Sequence, residues 1–213
     1  MNFCGYWRRF EMEVLKLNRD YSGSLRRASG VLKRGELVVY PTDTLYALGG
    51  NALNEKAALK VYEAKKRSLS KPLPIAVSDL RMMEKYAYLD RDAKTLADKY
   101  LPGALTLILE KKNLPALLTS DLDKVAVRIP ANSAALELVR LVGGPVITTS
   151  ANFTGEPPPV SIAEVPRELG AEIALDQGNL GERVPSTIVD FTGEPRIVRE
   201  GKIKADEILS AVG

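Results

Sequence analysis

Six short stretches of this sequence put hydroxyls or cations where an apolar run gives out. Thr42-Asp43-Thr44 follows Leu37-Val38-Val39, with Tyr40 and Tyr46 on either side and Gly49-Gly50 closing the segment. Lys65-Lys66-Arg67 is followed closely by Lys71-Pro72-Leu73-Pro74. Arg128 ends Val125-Ala126-Val127, Ser150 and Asn152 trail Val146-Ile147-Thr148-Thr149, Ser186-Thr187 opens Ile188-Val189, and Arg199 ends Ile197-Val198. Singly, each has an ordinary explanation: a solvated basic helix end, an edge arginine, short polar side chains bonding their own turn. Together they repeat one arrangement, a buried strand with a donor at its end. Open α/β sheets put their ligands there. A polyanion held without a cradle of backbone amides needs several charge-assisted hydrogen bonds from Lys and Arg. The 42–44 segment adds two hydroxyls, a carboxylate and two flanking tyrosines, more chemistry than a turn alone requires.

Composition narrows the chemistry further. The chain has one cysteine, Cys4, and no histidine. A Cys/His zinc site, a disulfide framework and a Ser-His-Asp or Cys-His nucleophile are therefore excluded. A metal would have to be hard and oxygen-bound, as Mg²⁺ carried in on a phosphate ligand is. Catalysis is left with positioning, Lys/Arg charge, hydroxyls and carboxylates. No Walker A segment occurs, since Gly201-Lys202 lacks the upstream glycine, and no Gly-x-Gly-x-x-Gly occurs. The familiar phosphate loops are thus unsupported. The net charge of +3 does not by itself argue for nucleic acid.

The elements that must carry these residues are strands and helices interspersed along 213 residues. A helix is expected over 23–33 with Gly35 as its stop, then a strand over 36–40 broken by Pro41. Asn54 caps a helix running to about Lys66, and a short buried strand covers 73–77. Asp79 and Asp90 cap two more helices, the second ended by Pro102-Gly103. Strands are expected over 104–109 and 124–129, a helix over 132–142 with Gly143-Gly144-Pro145 as its stop, and a strand over 146–149. After the Pro157-Pro158-Pro159 loop come a short helix, strands near Ile173, over 186–191 and over 196–199, and a last helix from about Ala205. The order is that of an α/β protein with a mixed sheet. Residues 12–213 read as one domain, with Met12-Glu13-Val14-Leu15 opening a strand-like run. Residues 1–11 read as an N-terminal extension, a disordered tail with Met1 and Met12 as alternative starts. No stretch of 18 apolar residues and no signal peptide is visible, so the chain is expected in the cytoplasm, off the membrane.

The polar segments, taken in order, resemble the YrdC-like family of threonylcarbamoyl-adenylate synthases. Tyr40-Pro41-Thr42-Asp43-Thr44 is similar to its Tyr-Pro-Thr-Glu/Asp-Thr signature, and Lys65-Lys66-Arg67 with Lys71-Pro72-Leu73 to its Lys-x-Arg loop. Leu101-Pro102-Gly103-Ala104-Leu105-Thr106 resembles its Pro-Gly-Pro-Leu-Thr turn. Val125-Ala126-Val127-Arg128-Ile129-Pro130, Ser150-Ala151-Asn152, Pro185-Ser186-Thr187-Ile188-Val189-Asp190 and Ile197-Val198-Arg199-Glu200-Gly201 match further blocks. The likeness runs from about residue 13 to the end. The chain departs from the family where many members have a histidine near Ile75-Ala76-Val77, at Ala104 in place of proline, and at Pro158-Pro159-Val160-Ser161.

The resemblance implies a twisted mixed parallel/antiparallel sheet flanked by helices around a deep basic cavity, as in YrdC/RibB-like folds. It implies a nucleotidyltransferase that condenses L-threonine, bicarbonate or CO₂ and ATP into threonylcarbamoyl-AMP and pyrophosphate. A separate threonylcarbamoyl transferase then modifies tRNA beside the anticodon. By the same resemblance, Lys65 and Arg67 act on the phosphates, and Lys71, Ser150, Asn152 and Arg199 bind the nucleotide. Thr42, Thr44, Arg128 and Ser186 shape the threonine pocket, and Mg²⁺ bridges phosphates. A tRNA or RNA contact belongs to the same set of partners. The alternatives are an RNA-binding module of the same fold, and a paralogue acting on another carbamoyl-adenylate substrate.

Overall fold

Local capping chemistry sets where the helices begin. The computed structural model describes residues 12–211, so the extension expected over 1–11 lies outside the described residues. Asp20 caps α1 (Tyr21–Lys33), accepting from the Gly23 amide, and the helix starts two residues earlier than the sequence pattern suggests. Asn54 caps α2 (Glu55–Ala64), Asp79 caps α3 (Leu80–Tyr86), Asp90 caps α4 (Arg91–Tyr100) and Asn132 caps α5 (Ser133–Val142). Gly143 ends α5 in the left-handed region, at φ 81°. The last helix is α6 (Ala205–Leu209). The short helix expected after the proline-rich loop is instead two 3₁₀ turns, Ile162–Glu164 and Arg167–Leu169, because Pro166 stands between them.

The strands form two mixed sheets. One runs β1 (Glu13–Lys16), β9 (Ile173–Asp176), β2 (Val38–Pro41), β3 (Tyr46–Gly49), β8 (Thr149–Ser150). The other runs β11 (Arg196–Arg199), β10 (Thr187–Asp190), β5 (Leu105–Glu110), β6 (Lys124–Arg128), β4 (Ile75–Ala76), β7 (Val146–Ile147). Parallel pairs such as β10 with β5 alternate with antiparallel pairs such as β5 with β6. Leu48, Leu105, Leu107 and Val127 are wholly buried in one core, while α1 and α5 cover Val38 and Leu175 in a second. Burial of each such side chain stabilises the fold by roughly 1.5–3 kcal/mol.

Two differences from the sequence reading bear on the site. Residues 46–49 form a strand that the sequence reading did not anticipate, and Pro41 stays inside β2, opposite Tyr46, rather than breaking it. The single strand expected over 146–149 is two. At Thr148 the amide donates to Pro74 O, and at Ala151 it donates to Tyr46 O, so the chain crosses from one sheet to the other. That crossing puts Ser150 opposite Ala47. The tyrosines serve the fold. Tyr40 donates to Ile147 O at 3.2 Å and Tyr46 to Gly178 O at 2.7 Å, and burial pushes both hydroxyls up to about 12.

Helix α2 stops at Ala64, short of Lys66, for a local reason. The Arg67 amide bonds Tyr62 O at 2.9 Å and the Lys66 amide bonds Glu63 O at 3.0 Å, with Lys66 left-handed at φ 51°. This is a Schellman cap with lysine where glycine is usual. Lys66→Gly is expected to stabilise the protein by about 0.5–1 kcal/mol, since a side chain in the left-handed region costs about 1 kcal/mol or more. The loss of the Lys66 contact over Phe153, 4.7 Å from the ring centre, offsets part of it. A thermal melt checks the sign, and an unchanged or lowered Tm would contradict it.

Candidate active site

The turn joining β2 to β3 is held by one hydroxyl. Thr42 Oγ1 accepts from the Thr44 and Leu45 amides at 3.2 and 3.1 Å and donates to Leu45 O at 2.7 Å. Its proton being used there, the Thr44 hydroxyl donates to Thr42 across 3.1 Å. Arg128, at the end of β6, reaches the same turn. Its Nη1 donates to Thr44 Oγ1 at 3.1 Å, and its Nη2 donates to Asp43 Oδ1 at 2.6 Å and Gly103 O at 3.1 Å. Its Nε is buried with no protein partner. An unmet charged donor of this kind costs about 1–3 kcal/mol until an acceptor reaches it. Burial lowers the Arg128 pKa, and Asp43 opposes that shift.

Two further residues close this cluster, Ser186 just before β10 and Arg199 at the end of β11. Strand alternation sends Ser186 and Thr187 to opposite sides. Ser186 Oγ bonds Thr106 Oγ1 at 2.8 Å, and Arg199 donates to Ser186 O through Nη2 at 2.7 Å and Nε at 3.2 Å. Burial, then the nearby Arg128, lowers the Arg199 pKa. Thr187 Oγ1 instead donates to Ile203 O at 2.5 Å and accepts from the Gly201 amide at 2.9 Å, tying down the loop after β11. A Cβ at Gly201 would lie 2.3 Å from Pro185 O and 2.6 Å from the Ser186 carbonyl carbon. Both are backbone atoms with no room to give. Gly201→Ala is therefore expected to destabilise the protein by about 1–3 kcal/mol and to displace Ser186. Denaturant melts would reveal the first effect, and a wild-type midpoint would refute it.

The second cluster lies on the other side of β3, around a cavity of about 230 Å³ lined by Lys65, Arg67, Ser150, Asn152, Glu156 and Pro158 among others. The left-handed turn at Lys66 lets both Lys65 and Arg67 line it. Lys65 is buried, and its ammonium donates to Ser150 O, to Asn152 O at 2.7 Å and to Asn152 Oδ1 at 3.3 Å. Burial, helped by the charge of Arg67, lowers its pKa to about 8. Arg67 donates to Lys71 O at 3.0 Å and Pro72 O at 2.9 Å, so the rigid loop after it fixes its aim. Thr154 bonds Lys65 O through its hydroxyl at 3.0 Å, binding the proline-rich loop to the cap of α2. Neither Lys65 nor Arg67 has a carboxylate partner among the described residues, which leaves their charge for an anion.

The structure thus brings the predicted residues together in two groups: Thr42, Thr44, Arg128 and Ser186 in one, Lys65, Arg67, Ser150 and Asn152 in the other. Arg199, expected with the nucleotide residues, makes its contacts at Ser186. Lys71 contributes its carbonyl to Arg67 while its side chain is exposed. The sequence reading passed over Asp43, Thr106 and Glu156 as site residues. Thr106 had a visible signal, a lone hydroxyl in the apolar run Leu105–Glu110. A larger groove of about 320 Å³ between α1 and α5 holds none of the candidates, and its Glu137 and Arg140 pair with each other.

Residues 30–201 match the Sua5/YciO/YrdC family model, described as telomere recombination. The chain is 38% identical over 194 residues to the threonylcarbamoyl-AMP synthase of Pyrococcus abyssi, covering 89% of this chain and 57% of that protein. It is 37% identical over 195 residues to the threonylcarbamoyl-AMP synthase of Bacillus subtilis, covering 89% and 56%. The chain therefore spans little more than half the length of these two relatives. The structure of P. abyssi Sua5 complexed with L-threonine superposes with a TM-score of 0.89 at 36% identity, over 95% of this chain and 61% of that one.

Proposed function

The chain belongs to the Sua5/YciO/YrdC family, and from that premise we propose that it condenses L-threonine, bicarbonate and ATP into threonylcarbamoyl-AMP and pyrophosphate. The observation that carries the reading is the pair of cation clusters on either side of β3. Lys65 and Arg67 line a small cavity and form no salt bridge among the described residues, and Arg128 stands across the hairpin with a buried donor unmet. The relatives named as threonylcarbamoyl-AMP synthases, and the Sua5 complex with L-threonine, support the choice of amino acid.

In this reading the threonine amine and bicarbonate give a carbamate and water. A carbamate oxygen attacks the α-phosphorus of ATP, and the bond from that phosphorus to the oxygen bridging to the β-phosphate breaks, so pyrophosphate leaves with the electron pair. Negative charge spreads over phosphoryl oxygens in the transition state, so catalysis is positioning and electrostatic stabilisation. That needs no histidine. Lys65 and Arg67 supply positive potential beneath the phosphates, Ser150, Asn152 and the exposed ammonium of Lys71 complete the nucleotide end, and Arg199 serves between the two ends. Thr44 and Ser186 present hydroxyls to the amino acid, Thr42 shapes the pocket by holding the turn that carries Thr44, and the substrate carboxylate takes the Nε–H of Arg128. Among the described residues no group of three or more His, Cys, Asp or Glu side chains could hold a metal ion. Mg²⁺ accordingly enters as part of the substrate, MgATP. The product goes to a separate transferase that modifies tRNA beside the anticodon, in the cytoplasm. Among the described residues no helix is long and apolar enough to cross a membrane.

The test is to mix the protein with MgATP, bicarbonate and each of several amino acids, and to follow pyrophosphate and the adenylate by mass. An adenylate that forms only with threonine and bicarbonate is the expected result. ATP binding without any adenylate would overturn the reading.

A further inference from the structure

Asp43 has no role in the scheme above, yet it makes the shortest contact around Arg128. Its Oδ1 accepts from Arg128 Nη2 at 2.6 Å and from the Ala131 amide at 3.1 Å. The pair is shielded from water, with side-chain exposures of 7% for Arg128 and 13% for Asp43. Three elements therefore converge on one guanidinium: the 42–44 turn through Asp43 and Thr44, the Pro102-Gly103 turn through the Gly103 carbonyl, and β6, which carries the arginine. Both terminal nitrogens are fixed while Nε is left over. A planar group held at two corners cannot swing, so the remaining donor has one direction.

Charge makes the same demand. Arg199, which bonds Ser186, stands close enough to Arg128 for Arg128 to lower its pKa. Among the described residues, Asp43 is the carboxylate that forms a salt bridge with either of them. Without it, Arg128 would keep its desolvation penalty and lose the largest of the favourable charges near it, with the Thr44 hydroxyl and the Gly103 carbonyl left as neutral partners that hold it less firmly.

We propose that Asp43 is the positioning residue that holds Arg128 on the carboxylate of the amino-acid substrate, an inference that rests on the synthase reading above. A purely structural role for Asp43, tying the hairpin tip to the 131 loop, makes a different demand. Loosening the hairpin would disturb both clusters, because Ser150 is paired on β3 next to the same turn. Positioning of Arg128 concerns the amino acid alone, and has no effect once Arg128 is altered.

The experiment compares wild type, Asp43→Asn, Asp43→Glu, Arg128→Lys and the Asp43→Asn/Arg128→Lys double variant. Calorimetry reads threonine binding, and turnover reads KM for threonine and for ATP. Asp43→Asn keeps the size of the side chain and removes its charge. It is expected to raise the threonine KM at least about tenfold while the ATP KM stays within about twofold. Asp43→Glu, which keeps the charge, is expected to recover part of that loss, and it carries the test if Asp43→Asn does not fold. In the Arg128→Lys background, Asp43→Asn is expected to change the threonine KM by less than about twofold. Equal rises in both KM values, full additivity in the double variant, or no recovery with glutamate would each overturn the inference. Wild type that binds threonine while Asp43→Asn binds it equally well would overturn this inference alone. Wild type that binds no threonine would overturn the synthase reading and the inference with it.

Discussion

Arg128→Ala is expected to raise the KM for threonine about 30-fold or more and to leave the KM for ATP within about threefold, while Arg67→Ala does the reverse. The physical ground is the separation of the two clusters by β3. Arg128 donates to Thr44 and Asp43 of the hairpin and to Gly103, and keeps its Nε–H without a protein partner. Arg67 is braced by Lys71 O and Pro72 O at the cavity that holds Ser150 and Asn152. Hydrogen bonds between an arginine and a carboxylate or phosphate are among the strong ones, so loss of either arginine falls on its own ligand. Arg128→Ala also strands the largely buried Asp43 carboxylate, at a cost of up to about 3–5 kcal/mol, so its melting temperature has to be measured alongside. Arg67 bonds only carbonyls, and its removal strands no charge. KM values measured separately for each substrate decide the matter. Equal effects of either substitution on both would sink the division of labour.

How far the sequence foretold this arrangement depends on the range of the forces involved. The caps at Asn54, Asp79, Asp90 and Asn132 satisfy amides two or three residues away, so they are readable locally. The strand-end positions of Arg128 and Arg199 are readable for a similar reason: each directly follows its apolar run in the sequence. What stayed hidden depends on partners far along the chain. Tyr46–Gly49 is a wholly buried strand with neither alternation nor β-branched residues, and it exists because β2 and β8 both pair with it. The crossing at Thr148 is set by Pro74 and Tyr46, which are remote in sequence. Lys66 takes a conformation normally signalled by glycine, so nothing in its type announces the turn that brings Lys65 and Arg67 to one cavity. Asp43 was in plain view as a turn residue. Only the fold reveals that its oxygen meets an arginine 85 positions away.

Lys65 shows the largest gap between sequence and structure, and the largest effect is expected there. At the end of a helix, beside Lys66 and Arg67, a lysine ordinarily reaches for solvent, but this one is 2% exposed with three oxygens around its ammonium. Lys65→Met, which keeps the length of the stem, is expected to lower kcat/KM by about 10²–10³, the effect of losing one preorganised charge from such a site. The pH behaviour separates this from mere damage. With a folded pKa of about 8, below the ordinary lysine value near 10.5, the unfolded chain binds more protons between those limits. The penalty of burying the ammonium is thus fully present below pH 8. Wild-type stability is expected to rise as pH climbs from about 8 toward 10.5, and Lys65→Met is expected to lack that rise. ATP bound at Lys65, as proposed, is expected to act in the opposite direction: its phosphates would favour the ammonium and raise its pKa, so binding near pH 8.5 would take up protons. Calorimetry in two buffers of different ionisation enthalpy measures that uptake directly. Uptake in wild type that disappears in Lys65→Met would mark Lys65 as the charge beneath the phosphates. Uptake that persists in the variant, or kcat/KM that stays within about threefold of wild type, would show that the phosphates rest on other groups.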